Sequence, residues 1–409
     1  MLVRWLQGPL GSADRPGARH TLLAVCPNSR AVTRAALHAA QEANTPLLYA
    51  ATLNQVDRGG GYTGWTPADL CAFVRKESAR IDLDVPVLVG LDHGGPWKKD
   101  EHVRQDLSYE TTMREVKRSI TACVEAGYDL LHLDPTVDRR LPDDRAVPID
   151  TIVERTVELM RHAEDVRRAA DRSPVAYEVG TEEVNGGLET EDRLRAFLKQ
   201  LDEALQIHNL PDPTFVVGDV GTTLGGEAFN ADRAQRLTAA AMDQAGALLK
   251  GHYTDDVAAP ELYPLSGMGG ANVGPGLAAV EVDALRQLVR LERRLDHDSH
   301  LLDALREAVV DSGRWKKWLR PVEEGSSFEA LSDDRQQWLV GTGSRYVWRT
   351  DRVEARRAEL YQHVAAYRTA PAYVHWRLKT AILEYMHAFN LIDLTDRMVE
   401  CIPDPSATA

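Results

Sequence analysis

Two mostly apolar segments of this chain each end in a histidine that has an acid nearby. One segment ends in Asp92 and His93, and the other ends in His252, with Asp255 three positions later. An apolar strand that turns polar at its last residues places those groups at the C-terminal edge of a sheet, where side chains of separate strands meet. Imidazoles placed in this way are typical ligands of a divalent metal, and neighbouring carboxylates can move protons. Either histidine alone could equally be a strand-end residue that is satisfied by its neighbours.

Eight short apolar segments alternate with helical patterns through the first two thirds of the chain. They are residues 21–26, 46–54, 85–93, 129–134, 174–180, 214–219, 247–250 and 272–274. Between them, Thr66, Pro67 and Asp69 predict a capped helix start, and Gly127 predicts a helix end. Strands that alternate with helices favour an α/β fold with a parallel sheet, and the count of eight favours a closed (β/α)8 TIM barrel.

A doubly wound open sheet is the alternative fold. The one GxGxxG match, at residues 59–64, lies well past the second strand instead of forming a tight strand-to-helix turn, so it does not indicate a dinucleotide site. From about residue 298 the pattern becomes helical, with tryptophans and no clear strand. We therefore expect a catalytic barrel over residues 1–297 and a C-terminal helical subdomain over residues 298–409, packed on the barrel.

In a barrel of this kind, active groups come from the C-terminal ends of the strands. Seven of the eight predicted ends carry a carboxylate, an imidazole or a carboxamide, namely Asn54 and Gln55, Asp92 and His93, Asp134, Thr181 and Glu182, Asp219, His252, and Asn272. Buried strand ends would not collect such residues for packing, because each costs free energy unless it is paired.

His93 and His252 are the predicted metal ligands, and an oxygen of Glu182 or Asp219 would complete the set. A mixed nitrogen and oxygen site fits zinc, with manganese or cobalt as alternatives. Asp92 is the predicted proton shuttle. Its side chain must then point inward together with that of His93, which a strand end or a bulge allows and a regular strand does not.

Glycine-rich loops after the seventh and eighth strands, at residues 266–270 and 274–276, are where such a barrel would bind phosphate. The same glycines could merely serve tight turns. Lys98 and Lys99 could add positive charge to such a site, or they could equally lie in a solvent-exposed loop.

The bulk composition limits the partners. The chain has 409 residues and a net charge of −14, which argues against nucleic acid as a partner. Its four cysteines form no CxxC pair, so neither a disulfide framework nor a zinc ribbon is expected. No apolar run approaches the roughly 20 residues that span a bilayer, and the N-terminal residues do not form a signal peptide. We expect a cytoplasmic protein without membrane contact.

Several stretches, in order, carry a resemblance to a known family. They are residues 54–69 (NQVDRGGGYTGWTPAD), 90–96 (GLDHGGP), 132–134 (HLD), 179–182 (VGTE), 252–255 (HYTD) and 273–275 (VGP). Together they resemble the non-catalytic subunit of class II D-tagatose-1,6-bisphosphate aldolase, a family often labelled tagatose-6-phosphate kinase. The resemblance implies a barrel related to zinc-dependent aldolases, in a superfamily that also includes ketose-phosphate 4-epimerases.

The resemblance implies roles for Asp92 and His93 as the acid and metal-ligand pair, with Glu182 and His252 completing the set. We assign catalysis to Asp92 and Glu182 and metal binding to His93, His252 and Asp219. Substrate contacts are expected from Asn54, Gln55, Tyr62, Asp134, Thr181, Thr254, Asp255, Asn272 and Gly274. The chain departs from the family pattern at residues 218–227 and at Asn272, where lysine is expected.

Two functions follow from this reading. The first is a metal-dependent 4-epimerase of a ketose phosphate, either fructose/tagatose 6-phosphate or a longer heptulose phosphate, which breaks and re-forms the C3–C4 bond. The second is an accessory subunit that stabilises a separate aldolase. Assembly as a homo-oligomer or with an aldolase partner is compatible with both. A sugar kinase is disfavoured, because the chain has no GxxxxGK[ST] loop.

Overall fold

The computed structural model describes residues 19–142, 145–181, 190–225 and 228–400. Eight parallel strands pair in chain order and close into a barrel. They are β1 (Leu22–Val25), β2 (Leu47–Thr52), β3 (Val87–Gly94), β4 (Leu130–Leu133), β5 (Ala176–Gly180), β6 (Phe215–Val217), β7 (Leu248–Gly251) and β8 (Gly270–Val273). β1 pairs with β8, and Leu22 lies opposite Gly270. This pairing confirms the barrel and excludes an open sheet, which would have two unpaired edges.

Helices connect the strands and cover the outside of the barrel. They are α1 (Arg30–Ala43), α2 (Pro67–Arg80), α3 (Asp100–Arg104), α4 (Tyr109–Ala126), α5 (Ile149–Ala169), α6 (Glu191–His208), α7 (Ala231–Ala245), α8 (Leu262–Leu265) and α9 (Pro275–Arg294). The predicted start of α2 is confirmed, since Thr66 and Asp69 form a reciprocal capping box. Gly127 ends α4 with a φ of 88°, a left-handed conformation that glycine adopts at little cost.

The strands are apolar because helices cover one face of the sheet and side chains fill the other. The barrel interior near the C-terminal strand ends is polar. There Lys250 of β7 donates to Glu178 of β5 at 2.6 Å, and both side chains are buried. This ion pair lies directly beside the histidines described below and fixes the position of the Glu178 carboxylate.

Residues 301–400 form a helical layer that we call the C-terminal layer. Its helices are α10 (Leu301–Ser312), α11 (Asp333–Gly343), α12 (Asp351–Val364), α13 (Ala370–Ala388) and α14 (Leu394–Glu400), with short 3-10 turns at Arg314–Trp318 and Ser344–Tyr346 among others. No strand occurs in this layer. α13 packs against α1 and α9, and α11 packs against α9. One buried apolar cluster runs through barrel and layer alike, so the domain boundary at residue 298 stays a prediction.

Within the described residues, no helix is both long enough and apolar enough to cross a bilayer. The cytoplasmic location expected from the sequence stays a prediction.

Candidate metal centre and substrate cavity

Strands β3, β4 and β7 deliver three imidazoles and one carboxylate to a single point at the barrel mouth. Asp92, His93, His132 and His252 each offer one ligand atom, and these four atoms lie within 4.8 Å of one another. The two strand-end histidines predicted from the sequence therefore converge. His132, to which the sequence patterns assign no role, joins them from β4.

The end of β3 contains the irregularity that lets neighbouring residues share the site. The pairing of β3 with β4 shifts register between Leu91 and Gly94, and His93 has a φ of 50°. Left-handed backbone is uncommon for a residue other than glycine and costs of order 1 kcal/mol or more. This backbone conformation turns the chain so that Asp92 and His93 both reach the cluster. The sequence predicts such a strand end or bulge, because a regular strand would point the two side chains to opposite faces.

Each strand-end imidazole has a carboxylate at its outer nitrogen. His93 Nδ1 lies 2.7 Å from Asp134 Oδ2, and His252 Nε2 lies 3.2 Å from Glu178 Oε1. The inner nitrogens, Nε2 of His93 and Nδ1 of His252, face each other at 3.1 Å. When each outer nitrogen donates to its carboxylate, both inner nitrogens present lone pairs, an arrangement that a cation stabilises.

This donor set fits a divalent metal. Carboxylates behind ligating histidines are the usual outer shell of such sites, since they fix the tautomer and the ring orientation. Ligands at about 2.0–2.2 Å from a tetrahedral ion stand roughly 3.3 Å apart, close to the 3.1 Å between the inner nitrogens of His93 and His252. Asp92 Oδ1 lies 3.7 Å from His252 Nε2 and 4.0 Å from His93 Nε2.

His132 takes a different position in the cluster. Its Nε2 lies 3.0 Å from the carbonyl oxygen of Gly180, and its Nδ1 accepts from the amide of His93 at 3.1 Å. Its Nδ1 also lies 3.1 Å from Asp92 Oδ1 and 3.7 Å from Glu178 Oε1. His132 thereby braces the bulge of β3, and it is the third histidine of the cluster that could offer a ligand atom.

The electrostatics keep the carboxylates of the site ionised. Burial raises the pKa of Asp92, but the surrounding His93, His252 and His132 outweigh it and hold that pKa well below its usual range. Burial likewise acts on Asp134, and Lys98, whose Nζ lies 2.7 Å from Asp134 Oδ2, outweighs it and keeps its pKa far below normal. Asp92 is thus ionised and has the lone pairs to accept a proton, although the charges that lower its pKa also weaken it as a base.

A cavity of about 240 Å³ opens directly on this cluster. Six of the predicted substrate-contacting residues line it, namely Asn54, Gln55, Tyr62, Asp255, Asn272 and Gly274. Asn272 donates to Asp92 Oδ2 at 3.2 Å, while its own Oδ1 is buried without a hydrogen-bond partner. A buried acceptor in that state is suited to a substrate hydroxyl.

Sequence similarity to characterised proteins assigns the chain to a family. D-tagatose 6-phosphate 4-epimerase of Agrobacterium fabrum strain C58 is 32% identical over 302 residues, which is 68% of this chain and 69% of that protein. A family profile described as D-tagatose-1,6-bisphosphate aldolase subunit GatZ/KbaZ-like matches residues 10–210. The chain belongs to this GatZ/KbaZ-like family. The GatZ aldolase subunit of Escherichia coli O6:H1 is 27% identical over 369 residues, which is 83% of this chain and 84% of the relative.

Solved structures agree with the fold of this GatZ/KbaZ-like protein. A probable tagatose 6 phosphate kinase from Sinorhizobium meliloti 1021 superposes with a TM-score of 0.69 at 22% identity, covering 90% of this chain and 100% of that one. Fructose-bisphosphate aldolase from Campylobacter jejuni superposes with a TM-score of 0.52 at 10% identity, covering 96% and 93%. At such identities the likeness shows the barrel architecture alone.

Three further predicted site residues, Asp219, Thr181 and Thr254, are not members of the metal cluster. Asp219 forms an ion pair with Arg233 of α7 at 2.7 Å and accepts from the amide of Gly221, so the structure does not bring it to the histidines. Thr181 and Thr254 are buried and do not line the cavity. Glu182 lies outside the described residues.

The site also contains residues that do not lie at the ends of barrel strands and that the sequence patterns therefore do not predict. Glu178 sits inside β5, four positions before Glu182, and reaches the cluster because its side chain points into the barrel. The C-terminal layer contributes Lys317, Trp318, Arg345 and Tyr346 to the cavity wall. No local pattern in the sequence indicates that residues so far along the chain border the site.

Proposed function

We propose that this protein is a metal-dependent 4-epimerase of a ketose phosphate, with D-tagatose 6-phosphate and D-fructose 6-phosphate as the default pair. The observation that carries the proposal is the facing pair of imidazole nitrogens, each backed by a carboxylate, beside the ionised Asp92 in one cavity. The 32% identity to a D-tagatose 6-phosphate 4-epimerase supports the same reaction.

His93 and His252 would hold the ion, with His132 of the same cluster as a further ligand. Zinc suits this nitrogen and oxygen set, and manganese or cobalt are alternatives. When bound, a divalent ion acts as a Lewis acid that polarises the C2 carbonyl of the sugar.

Asp92 takes the proton from the C4 hydroxyl, and the C3–C4 bond breaks to give an aldehyde and a three-carbon fragment. The aldehyde turns to present its opposite face, the bond re-forms, and the proton returns to O4, so C4 is inverted and the atoms balance. Asn272 Oδ1 is placed to accept a sugar hydroxyl during these steps. Glu182 remains the second candidate for proton transfer.

Asp255 is suited to bind or protonate a second hydroxyl. Its Oδ2 is buried without a hydrogen-bond partner, and burial raises its pKa to about 6. Its carboxyl is therefore mostly ionised at pH 7, yet its pKa lies close enough to neutrality for it to take up and release a proton.

The test is turnover by the isolated protein. D-tagatose 6-phosphate and a panel of C6 and C7 ketose phosphates are incubated with the metal-reconstituted protein, and the products are followed by ¹³C NMR with and without chelator. We expect inversion at C4 that chelator abolishes. His93→Ala should lose bound metal, measured by mass spectrometry, and at least ~1,000-fold in kcat/KM, because the ligand and its orienting partner act together.

His208→Ala is the matched control, since His208 is exposed at the end of α6. It should keep metal and activity. A fully active His93→Ala protein would contradict the proposal.

An accessory role is the second candidate, and the 27% identity to an aldolase subunit favours it. It predicts no turnover by the isolated protein and co-purification with a separate aldolase barrel.

A further inference from the structure

The usual phosphate position of a (β/α)8 barrel is occupied here by the protein's own carboxylate. Asp255 Oδ1 accepts from the amide of Gly274 at 2.9 Å and from the amide of Gly276 at 2.7 Å, at the start of α9. These are the amides that a phosphate would use at a helix N-terminus. A phosphate there would have to displace Asp255 or meet its negative charge.

A buried cation lines the same cavity. Arg345 lies in the 3-10 turn Ser344–Tyr346 of the C-terminal layer and is 4% exposed. Its guanidinium donates to the carbonyl of Thr342 and, at 2.8 Å, to Tyr346 Oη. It also stacks 5.3 Å from the ring centroid of Trp318.

Within the described residues, Arg345 forms no ion pair closer than 4.0 Å, and the Asp255 carboxylate acts on it only from a longer distance. Guanidinium has five N–H donors, and the two internal hydrogen bonds leave others for a ligand. A buried charge without a hydrogen-bonded counter-ion is costly, so a ligand anion would stabilise this site.

The neighbouring cations add to the positive potential of this wall. Lys317, which lines the cavity, and Arg314 share one carboxylate, that of Asp100. Arg314 also lies over the rings of Tyr62 and Tyr346, 5.7 and 4.7 Å from their centroids. Two cations on one acid leave an excess of positive charge beside Arg345.

We propose that Arg345, supported by Lys317, binds the phosphoryl group of the substrate. This inference rests on the proposed function and extends it. The C-terminal layer would recognise the anionic end of the sugar, while the barrel strands carry out the chemistry at the other end. Arginine is suited to this role, because its planar fork matches two phosphate oxygens.

The test compares phosphorylated with unphosphorylated substrate. Equilibrium binding and kcat/KM are measured for D-tagatose 6-phosphate and D-tagatose, with wild type, Arg345→Gln and Arg345→Lys. Arg345→Gln should lose roughly 100-fold in affinity and kcat/KM for the phosphate ester, the scale of removing one partner of a buried charge pair. Its values for D-tagatose should stay within about twofold, and Arg345→Lys should recover part of the loss.

Arg368→Gln is the matched control. Arg368 also lies over an aromatic ring, 4.7 Å from the ring centroid of Tyr373, but does not line the cavity. It should leave the ratio between the two sugars unchanged.

Equal losses for both sugars in Arg345→Gln would mean a structural role, and no loss would mean no role; either result overturns the inference. If wild type binds the ester without turnover, the proposed epimerase function fails, and the binding ratio still decides the role of Arg345. If wild type binds neither sugar, both proposals fall.

Discussion

At the scale of single residues, the site depends on side chains that lock one another in place. The left-handed backbone at His93 brings two consecutive polar residues to one point. Asp134 and Glu178 then orient the two strand-end imidazoles. The Asn272 side chain donates a hydrogen bond to Asp92 Oδ2. The family resemblance predicts lysine at this position, so with asparagine Asp92 has one positive charge fewer beside it.

Asn272→Asp tests this arrangement. A second carboxylate next to Asp92 disfavours ionisation of both, so the pKa of the pair rises. We expect the acid limb of the pH profile of kcat/KM to move up by about one pH unit. Asn272→Ala also loses the hydrogen bond but adds no charge, and its limb should move less. Identical profiles for the two variants would contradict this account of Asp92.

At the scale of elements, the contact between α1 and α13 joins the barrel to the C-terminal layer. His38 of α1 and His375 of α13 meet there with ring centroids 4.6 Å apart. Burial and the nearby His38 and Lys379 lower the pKa of His375 to about 4. Because the unfolded chain binds that proton near pH 6.5, this group makes folding acid-sensitive.

The free energy of unfolding therefore decreases as the pH falls below about 6.5. The contribution of His375 is fully present above about pH 6.5 and is lost as the pH falls toward 4. Between pH 7.5 and 5 we expect wild type to lose about 1–2 kcal/mol more than His375→Gln, from denaturant unfolding at each pH. His387→Gln, on the exposed side of the same helix, should behave like wild type. Equal losses in wild type and His375→Gln would refute this role.

At the scale of the whole molecule, the barrel and the C-terminal layer share one core and one cavity. The inner face of α13 buries Ala370, Val374, Leu378, Ile382 and Met386. The layer also forms the cavity wall around Arg345. The division into two parts that the sequence suggests is therefore not expected to be a division into two independently stable units.

Removal of residues 299–409 tests that expectation. The deletion exposes the apolar faces of α1 and α9, and exposed patches of that kind cause association. We expect the shortened chain to aggregate or to lose its cooperative thermal transition, measured by size-exclusion chromatography and circular dichroism. A monomeric barrel that melts at the midpoint of the full chain would contradict it.

The sequence by itself determined the strands and the main helices of the barrel and several of their ends. Apolar runs of strand length, capping residues such as Thr66 and end signals such as Gly127 are local, so their physics is visible in a short window. Polar residues at the ends of apolar strands also pointed to His93 and His252, because a parallel barrel brings all such ends to one face.

Only the tertiary structure decided which interior residues join them. His132 and Glu178 lie within strands, where a polar residue reaches the site only if register and side-chain alternation turn it inward. Arg345 reaches the cavity only because the C-terminal layer folds back over the barrel. Such contacts depend on how elements that are far apart in the chain pack against each other. A local sequence pattern contains no information about that packing.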